Sequence, residues 1–134
     1  MGREVDERIA EYLWLLRNLR KTKAKVLDVG CSGTLLSYAL IRKGYDVYGV
    51  DYRSYPERPE KIKFYKQDIR SLPFEDNFFD LIVAISALEH FGMGGFGDPV
   101  YEKGDFEAIK ELERILKTRG EIFLTVPFAH QYAV

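Results

Sequence analysis

The sequence predicts an α/β domain with a mostly parallel sheet, and three observations carry that expectation. Five short apolar runs, at about 25–29, 46–51, 62–66, 79–85 and 120–126, alternate with helical stretches at about 34–43 and 105–117. Strands alternating with helices build βαβ units, and right-handed crossovers leave few topologies for them. The first run, Val26-Leu27-Asp28-Val29, breaks into Gly30-Cys31-Ser32-Gly33. A strand, a glycine turn and a helix start give small residues and outward-pointing backbone N–H groups, a site for a nucleotide-like ligand. The second run, Asp46-Val47-Tyr48-Gly49-Val50, ends in the acid Asp51. That spacing suits a carboxylate receiving the two hydroxyls of a ribose.

Residues Glu4 to Arg20 predict an N-terminal helix, with Val5, Ile9, Leu13, Leu16 and Arg20 on or beside one face. Residues 1–21 form this helix and 25–127 the core of one domain covering 1–134, a length that suits one domain with a real core. Hydrophobic content of 46% marks a globular chain rather than a disordered one. The net charge of −1 gives no bulk attraction to nucleic acid. No apolar run approaches the roughly 20 residues of a membrane span, and the charged N-terminus does not read as a signal peptide. The lone Cys31 excludes an intrachain disulfide framework and agrees with a reducing cytoplasm. Abundant charged residues with few Asn and Gln lean toward a thermophilic composition.

The glycine pattern selects among cofactors. A dinucleotide fingerprint needs G-x-G-x-x-G, whereas this chain has Asp28-x-Gly30-x-x-Gly33. An aspartate there repels a pyrophosphate and suits a ligand with a cationic amino group. S-adenosylmethionine is such a ligand. At this point the chain resembles the class I, Rossmann-like S-adenosylmethionine-dependent methyltransferases, from about Lys25 to Pro127. Asp28-Val29-Gly30-Cys31 is similar to the family's first motif, Val50-Asp51 to its ribose-binding acid, and Tyr65-Lys66-Gln67-Asp68-Ile69 to its third motif. Phe79 to Ser86 looks like the fourth strand, with Ala87-Leu88-Glu89-His90 beyond it. Leu112 to Lys117 and Gly120 to Pro127 resemble the closing helix and fifth strand. In one departure, Ser32 and Thr34 stand where the family commonly has glycines, so the turn is bulkier; the serine hydroxyl remains able to bond the cofactor's carboxylate.

The resemblance implies a three-layer sandwich with strand order 3-2-1-4-5, and S-adenosyl-L-methionine as cofactor. It implies cofactor contacts from Asp28, Gly30, Cys31, Ser32, Gly33, Asp51, Tyr52, Asp68, Ile69 and Ser86. Asp68 is expected to accept the adenine amino group while the Ile69 amide donates to the ring. A strand end or turn explains Asp28 and Asp51 equally well in local terms, and a helix N-cap explains Asp68. His90 is a candidate general base near the methyl acceptor, or a histidine packed under the glycine loop. Glu89 reads as structural. The loop Gly92-Met93-Gly94-Gly95-Phe96-Gly97-Asp98-Pro99 is either a substrate lid carrying Phe96, with Tyr101 beyond it, or a connector. The run from Glu89 to Pro99 resembles methyltransferases found with sugar-modifying genes, which implies a sugar or polysaccharide precursor as acceptor. Cys31 reads as a small buried hydrophobe. The basic cluster Arg17, Arg20, Lys21, Lys23 and Lys25 reads as a solvated helix end rather than a nucleic-acid surface. Trp14 falls off the apolar stripe, over the cofactor or in ordinary packing. No His/Cys/Asp spacing resembles a metal site.

The family adds a sixth and a seventh strand that the remaining residues, Phe128 to Val134, are too few to supply. The expectation is a fragment of a longer enzyme, or an apolar fifth-strand edge covered by a partner chain, with a homodimer as the form to test. The function implied is methyl transfer to a small molecule in the cytoplasm. A nicotinamide-dependent oxidoreductase and an inactive cofactor-binding module that needs a partner are the rival readings.

Overall fold

The computed structural model describes residues 3–20, 23–85 and 104–125. Its elements run α1 (Arg3–Asn18), β1 (Lys25–Val29), α2 (Leu36–Arg42), β2 (Asp46–Asp51), β3 (Lys63–Lys66), β4 (Phe79–Ile85), α3 (Gly104–Ile115) and β5 (Leu116–Thr125). The strands form one sheet in the order β3-β2-β1-β4-β5, and every neighbouring pair is parallel. This is the expected three-layer α/β fold.

Side-chain alternation divides the core between the two faces. Leu27 and Val29 of β1, Tyr48 and Val50 of β2, and Ile82 and Ala84 of β4 point to one face. There they meet Ala108, Leu112 and Ile115 of α3. Val26, Val47, Leu81 and Val83 point to the other, under Leu15 of α1 and Leu36 and Leu40 of α2. Rings pack edge to face beneath α3: Phe79 is fully buried, 5.2 Å from Tyr48 and 4.9 Å from both Phe74 and Phe78. Arg114 ties α3 to the loop between β3 and β4 by donating to the Leu72 and Phe74 carbonyls and pairing with Asp76, while Glu111 of its own helix holds the guanidinium.

Two elements differ from the sequence expectation. In α1 the predicted stripe is buried only in part: Leu16 packs beside the fully buried Leu15, with Tyr12 and Leu19, while Ile9 and Leu13 are about half exposed, at 50% and 49%. Trp14 turns to the strand edge and meets Phe123 of β5 edge-on at 5.4 Å. The described apolar side chains of α1 therefore serve two surfaces, Leu15 the core and Trp14 the rim strand. The fifth strand begins earlier than 120 and is irregular. Phe79 pairs with Leu116 and Leu81 with Glu121, so β5 takes five steps where β4 takes two. Gly120 makes that bulge possible, since a Cβ there would lie 2.5 Å from Leu116 Cδ1 and 3.0 Å from the Lys117 carbonyl oxygen. β5 is an edge strand, and its Ile122 and Leu124 are half exposed on the α3 face.

Lys25 leaves the basic cluster altogether: its amide donates to Asp80, and its ammonium lies 4.1 Å from the centre of the Phe78 ring. Among the described residues, no helix is long and apolar enough to cross a membrane.

Gly49 sits in the middle of β2, under the glycine turn, where the backbones approach too closely for a side chain. A Cβ there would lie 2.6 Å from Cys31 Sγ and 2.7 Å from Ile62 Cδ1. Gly49→Ala is expected to destabilise the chain by about 1–3 kcal/mol through overpacking. Cys31→Ala in the same chain should recover part of that loss in urea denaturation, and strict additivity of the two changes would contradict this packing.

Candidate functional site

Alternation also places the acids. In β1 and β2, residues 26, 28, 47, 49 and 51 share the α2 face, so Asp28 and Asp51 end up beside each other at the carboxyl ends of adjacent strands. Both are buried. Ser37, in the first turn of α2, donates its hydroxyl to Asp28 Oδ2 at 2.6 Å. Burial raises the Asp28 carboxyl to about 7, with Asp51's charge adding to the rise and the Ser37 hydrogen bond opposing it. Sequence reasoning missed Ser37. Its signal is a hydroxyl nine residues beyond the strand acid, at the start of the helix.

The turn between β1 and α2 is held by its own chain. Gly30 and Gly33 adopt φ of 74° and 77°, a region that disfavours side chains. The Gly30 and Cys31 amides donate to the Val50 carbonyl, the Thr34 amide to the Cys31 carbonyl, and the Ser32 amide to Asp51 Oδ2 at 3.0 Å. Four of the turn's N–H groups, expected to point outward, are thus engaged within the protein. The Ser32 hydroxyl likewise donates to the Arg53 carbonyl rather than standing free for a cofactor carboxylate. Cys31 is fully buried in the core, and burial together with Asp28 and Asp51 pushes its thiol far up, away from the thiolate that a nucleophile needs. The loop after β2 is stapled across this turn. Tyr55 donates to the Thr34 carbonyl at 3.1 Å, and Tyr38 of α2 donates to the Glu57 carbonyl.

Asp51 is the most completely bonded carboxylate of the site. Besides the Ser32 amide it accepts the Arg53 amide at 2.9 Å, Arg53 Nε at 3.2 Å and Arg53 Nη2 at 3.3 Å. Tyr52, between them, points to the opposite face and packs partly buried against the α3-side core. Asp68 repeats the arrangement after β3. Its carboxylate accepts the Arg70 amide and guanidinium, which hold it below the usual carboxylate range. Its carbonyl accepts the Ser71 amide, so Asp68 opens a turn rather than capping a helix. Ile69 is fully buried in the α3-side core and anchors this turn. The arginines at 53 and 70 were not singled out from sequence, although the repeated D-x-R spacing is legible there.

The structure thus brings Asp28, Gly30, Ser32, Gly33 and Asp51 to one place, with Asp68 at the end of the neighbouring β3. Ser86, Glu89, His90, Phe96 and Tyr101 lie outside the described residues.

Residues 27–124 match the model of a family described as methyltransferase domain. The chain belongs to that family. These methyltransferases are of the class I, S-adenosylmethionine-dependent kind that the motifs resemble. The methyltransferase chain is 27% identical over 135 residues to a ubiquinone biosynthesis O-methyltransferase of Pseudomonas aeruginosa, covering 90% of this chain and 53% of that protein. A protein of Pyrococcus horikoshii, known from its crystal structure, superposes with a TM-score of 0.69 at 28% identity, covering 90% of this chain and 57% of that one. The 1,6-didemethyltoxoflavin-N1-methyltransferase of Burkholderia thailandensis, solved with 1,6-didemethyltoxoflavin and S-adenosylhomocysteine, shares the fold. Its TM-score is 0.69 at 18% identity, over 86% of this chain and 49% of that one. The chain spans about half the length of the curated relatives it matches.

The raised Asp28 carboxyl has a measurable sign. An acid whose folded pKa lies above its unfolded value favours the folded state when protonated. That contribution is full below about pH 4 and is lost as pH rises to about 7. Asp28→Asn removes the effect while keeping an acceptor for Ser37. Its stability relative to the parent chain, measured by denaturant titration, should therefore climb between pH 4 and 7 by up to about 1.4 kcal/mol per unit and level off above. Parallel pH profiles for the two chains would contradict the assignment.

Proposed function

We propose that this chain binds S-adenosyl-L-methionine and transfers its methyl group to an oxygen of a small molecule. The observation that carries the reading is the pair of buried acids, Asp28 and Asp51, at the ends of adjacent parallel strands beside a glycine turn. Ligands of such sheets bind outside the carboxyl ends of the strands near the switch in strand order, here between β1 and β4.

The residues present fit the cofactor. Asp28, buried and met by a neutral hydroxyl, gains a partner when a cationic amino group arrives. The same acid repels a pyrophosphate, which argues against a nicotinamide dinucleotide. Asp51 would hold the ribose hydroxyls, and Asp68 and the Ile69 amide the adenine edge. When bound, S-adenosylmethionine supplies a methyl group already activated by its sulfonium. The protein's task is then alignment of the acceptor with that methyl and acceptance of a proton. We assign the proton to His90, which follows β4 in the sequence. The O-methyltransferase named among the relatives supports an oxygen acceptor, and the resemblance of Glu89 to Pro99 supports a sugar-like one. The apolar edge of β5 supports pairing with a second copy of the chain.

Calorimetric titration with S-adenosylmethionine and, in parallel, NAD tests the cofactor: micromolar binding of the former alone, abolished in Asp51→Ala, is expected. Because a proton competes with the cationic end for Asp28, affinity should rise with pH up to about 7 and then flatten. Ser37→Ala, which removes a bond that favours the carboxylate, should move that rise to higher pH. Binding of NAD, or a pH-independent affinity, would count against the reading. His90→Asn should lower turnover of a hydroxyl acceptor by about a hundredfold or more without weakening cofactor binding. Equal loss of both would make His90 structural.

A further inference from the structure

The carboxylate assigned to the ribose is already fully bonded. An ionised carboxylate offers about four lone-pair sites, two on each oxygen. In Asp51, Oδ2 accepts the Ser32 amide at 3.0 Å and Arg53 Nη2 at 3.3 Å, while Oδ1 accepts the Arg53 amide at 2.9 Å and Arg53 Nε at 3.2 Å. Each oxygen therefore carries one backbone donor and one guanidinium donor. A ribose diol brings two further donors, and no acceptor site is left for them.

The two kinds of donor are not equally able to leave. The Ser32 amide belongs to the turn between Gly30 and Gly33, and the Arg53 backbone is pinned by the Ser32 hydroxyl on its carbonyl. Removing either amide would dismantle the turn. The guanidinium bonds are the longer pair, and the Arg53 side chain is 46% exposed against 1% for Asp51. Its guanidinium carbon lies 5.4 Å from the centre of the Tyr52 ring, a contact that the head can keep when its hydrogen bonds to Asp51 are given up.

We propose that Arg53 is a built-in competitor for the ribose site: its guanidinium occupies the two acceptor positions of Asp51 that a cis-diol needs, and nucleoside binding must displace it. This rests on the proposed S-adenosylmethionine site and specifies how that site selects and loads its ligand. Arg53 lowers the net gain from the diol and keeps the buried carboxylate paired between ligands. It acts as a specificity-determining residue through Asp51.

The test uses the full chain, as parent and as Arg53→Met, titrated with adenosine, 2′,3′-dideoxyadenosine and S-adenosylhomocysteine. Methionine keeps the apolar stem and removes both guanidinium bonds. The two diol-bearing ligands should bind Arg53→Met about two- to five-fold more tightly, as expected for loss of a competing half-exposed ion pair. Dideoxyadenosine should be unchanged, so the discrimination between the two nucleosides widens by that factor. In the parent chain the Arg53 Nε–Hε resonance should shift at saturating adenosine and stay in place with dideoxyadenosine. Arg53→Lys, which fills one acceptor position, should give a smaller change in the same direction. Equal changes for both nucleosides, weaker adenosine binding in Arg53→Met, or an unmoved Arg53 resonance would overturn the proposal alone. Absence of binding by all three ligands to both chains would instead overturn the cofactor reading, and this proposal with it.

Discussion

Two carboxylates buried next to each other at the ends of adjacent parallel strands impose the strongest constraint in this molecule. Desolvation and the neighbouring Asp51 oppose the ionised form of Asp28, and the sheet fixes the two acids in place because β1 and β2 pair in register from Lys25↔Asp46 to Val29↔Val50. The chain meets the problem in two ways. Asp51 is satisfied by four donors from the turn and from Arg53. Asp28 receives one hydroxyl, from Ser37, and its carboxyl rises to about 7. The glycine turn, the first turn of α2 and the loop after β2 are all shaped around these two solutions. Tyr55 and Ser32 then staple the loop to the turn, so neither can shift without exposing a buried acid.

The opposite end of the sheet makes the contrast. There Asp46 pairs with Lys63 at 2.5 Å, and Asp80 accepts both the Lys25 amide and the Lys117 ammonium. Those pairs run between neighbouring strands and hold the register of the sheet. At the carboxyl ends the arginines that meet Asp51 and Asp68 come from two residues further along the same chain. Of the two, Arg53 is about half exposed, whereas Arg70 is mostly buried and reaches on to Glu107 of α3. The pairs at one end span neighbouring strands, and at the other Arg53 meets Asp51 from its own loop.

Much of this was legible in the residues. Short apolar runs fix the strands, because a parallel sheet covered on both faces needs continuous hydrophobic segments, and β1, β2 and β4 fall where the runs do. The acids Asp28 and Asp51 stand out because charged residues at the ends of such runs need a reason. The helix α1 was harder: its apolar residues serve two surfaces, Leu15 facing the core and Trp14 reaching Phe123 at the rim, and a single 3.6-residue stripe does not describe both. The early start of β5 depends on a bulge closed by Leu116 against Gly120, a contact with no periodic signature. Ser37 and Arg53 escaped notice for another reason. A serine in a helix and an arginine in a charged loop are ordinary residues until the fold places an acid within reach of each.

The state of the two acids also describes the ligand they suit. Beside Asp28 the favourable group is a cation that can take up the charge of a carboxylate now served by a hydroxyl. Beside Asp51 it is a pair of neutral hydroxyl donors, because the two backbone amides remain and only the guanidinium can be exchanged. A phosphate fits neither position, since each oxygen of these acids would face another anion. A molecule with an ammonium at one end and a ribose diol some way along it answers both acids together. On the proposed reading the discrimination against a dinucleotide comes from Asp28, whose carboxylate favours an ammonium over a pyrophosphate, while Asp51 answers the ribose that both kinds of ligand carry.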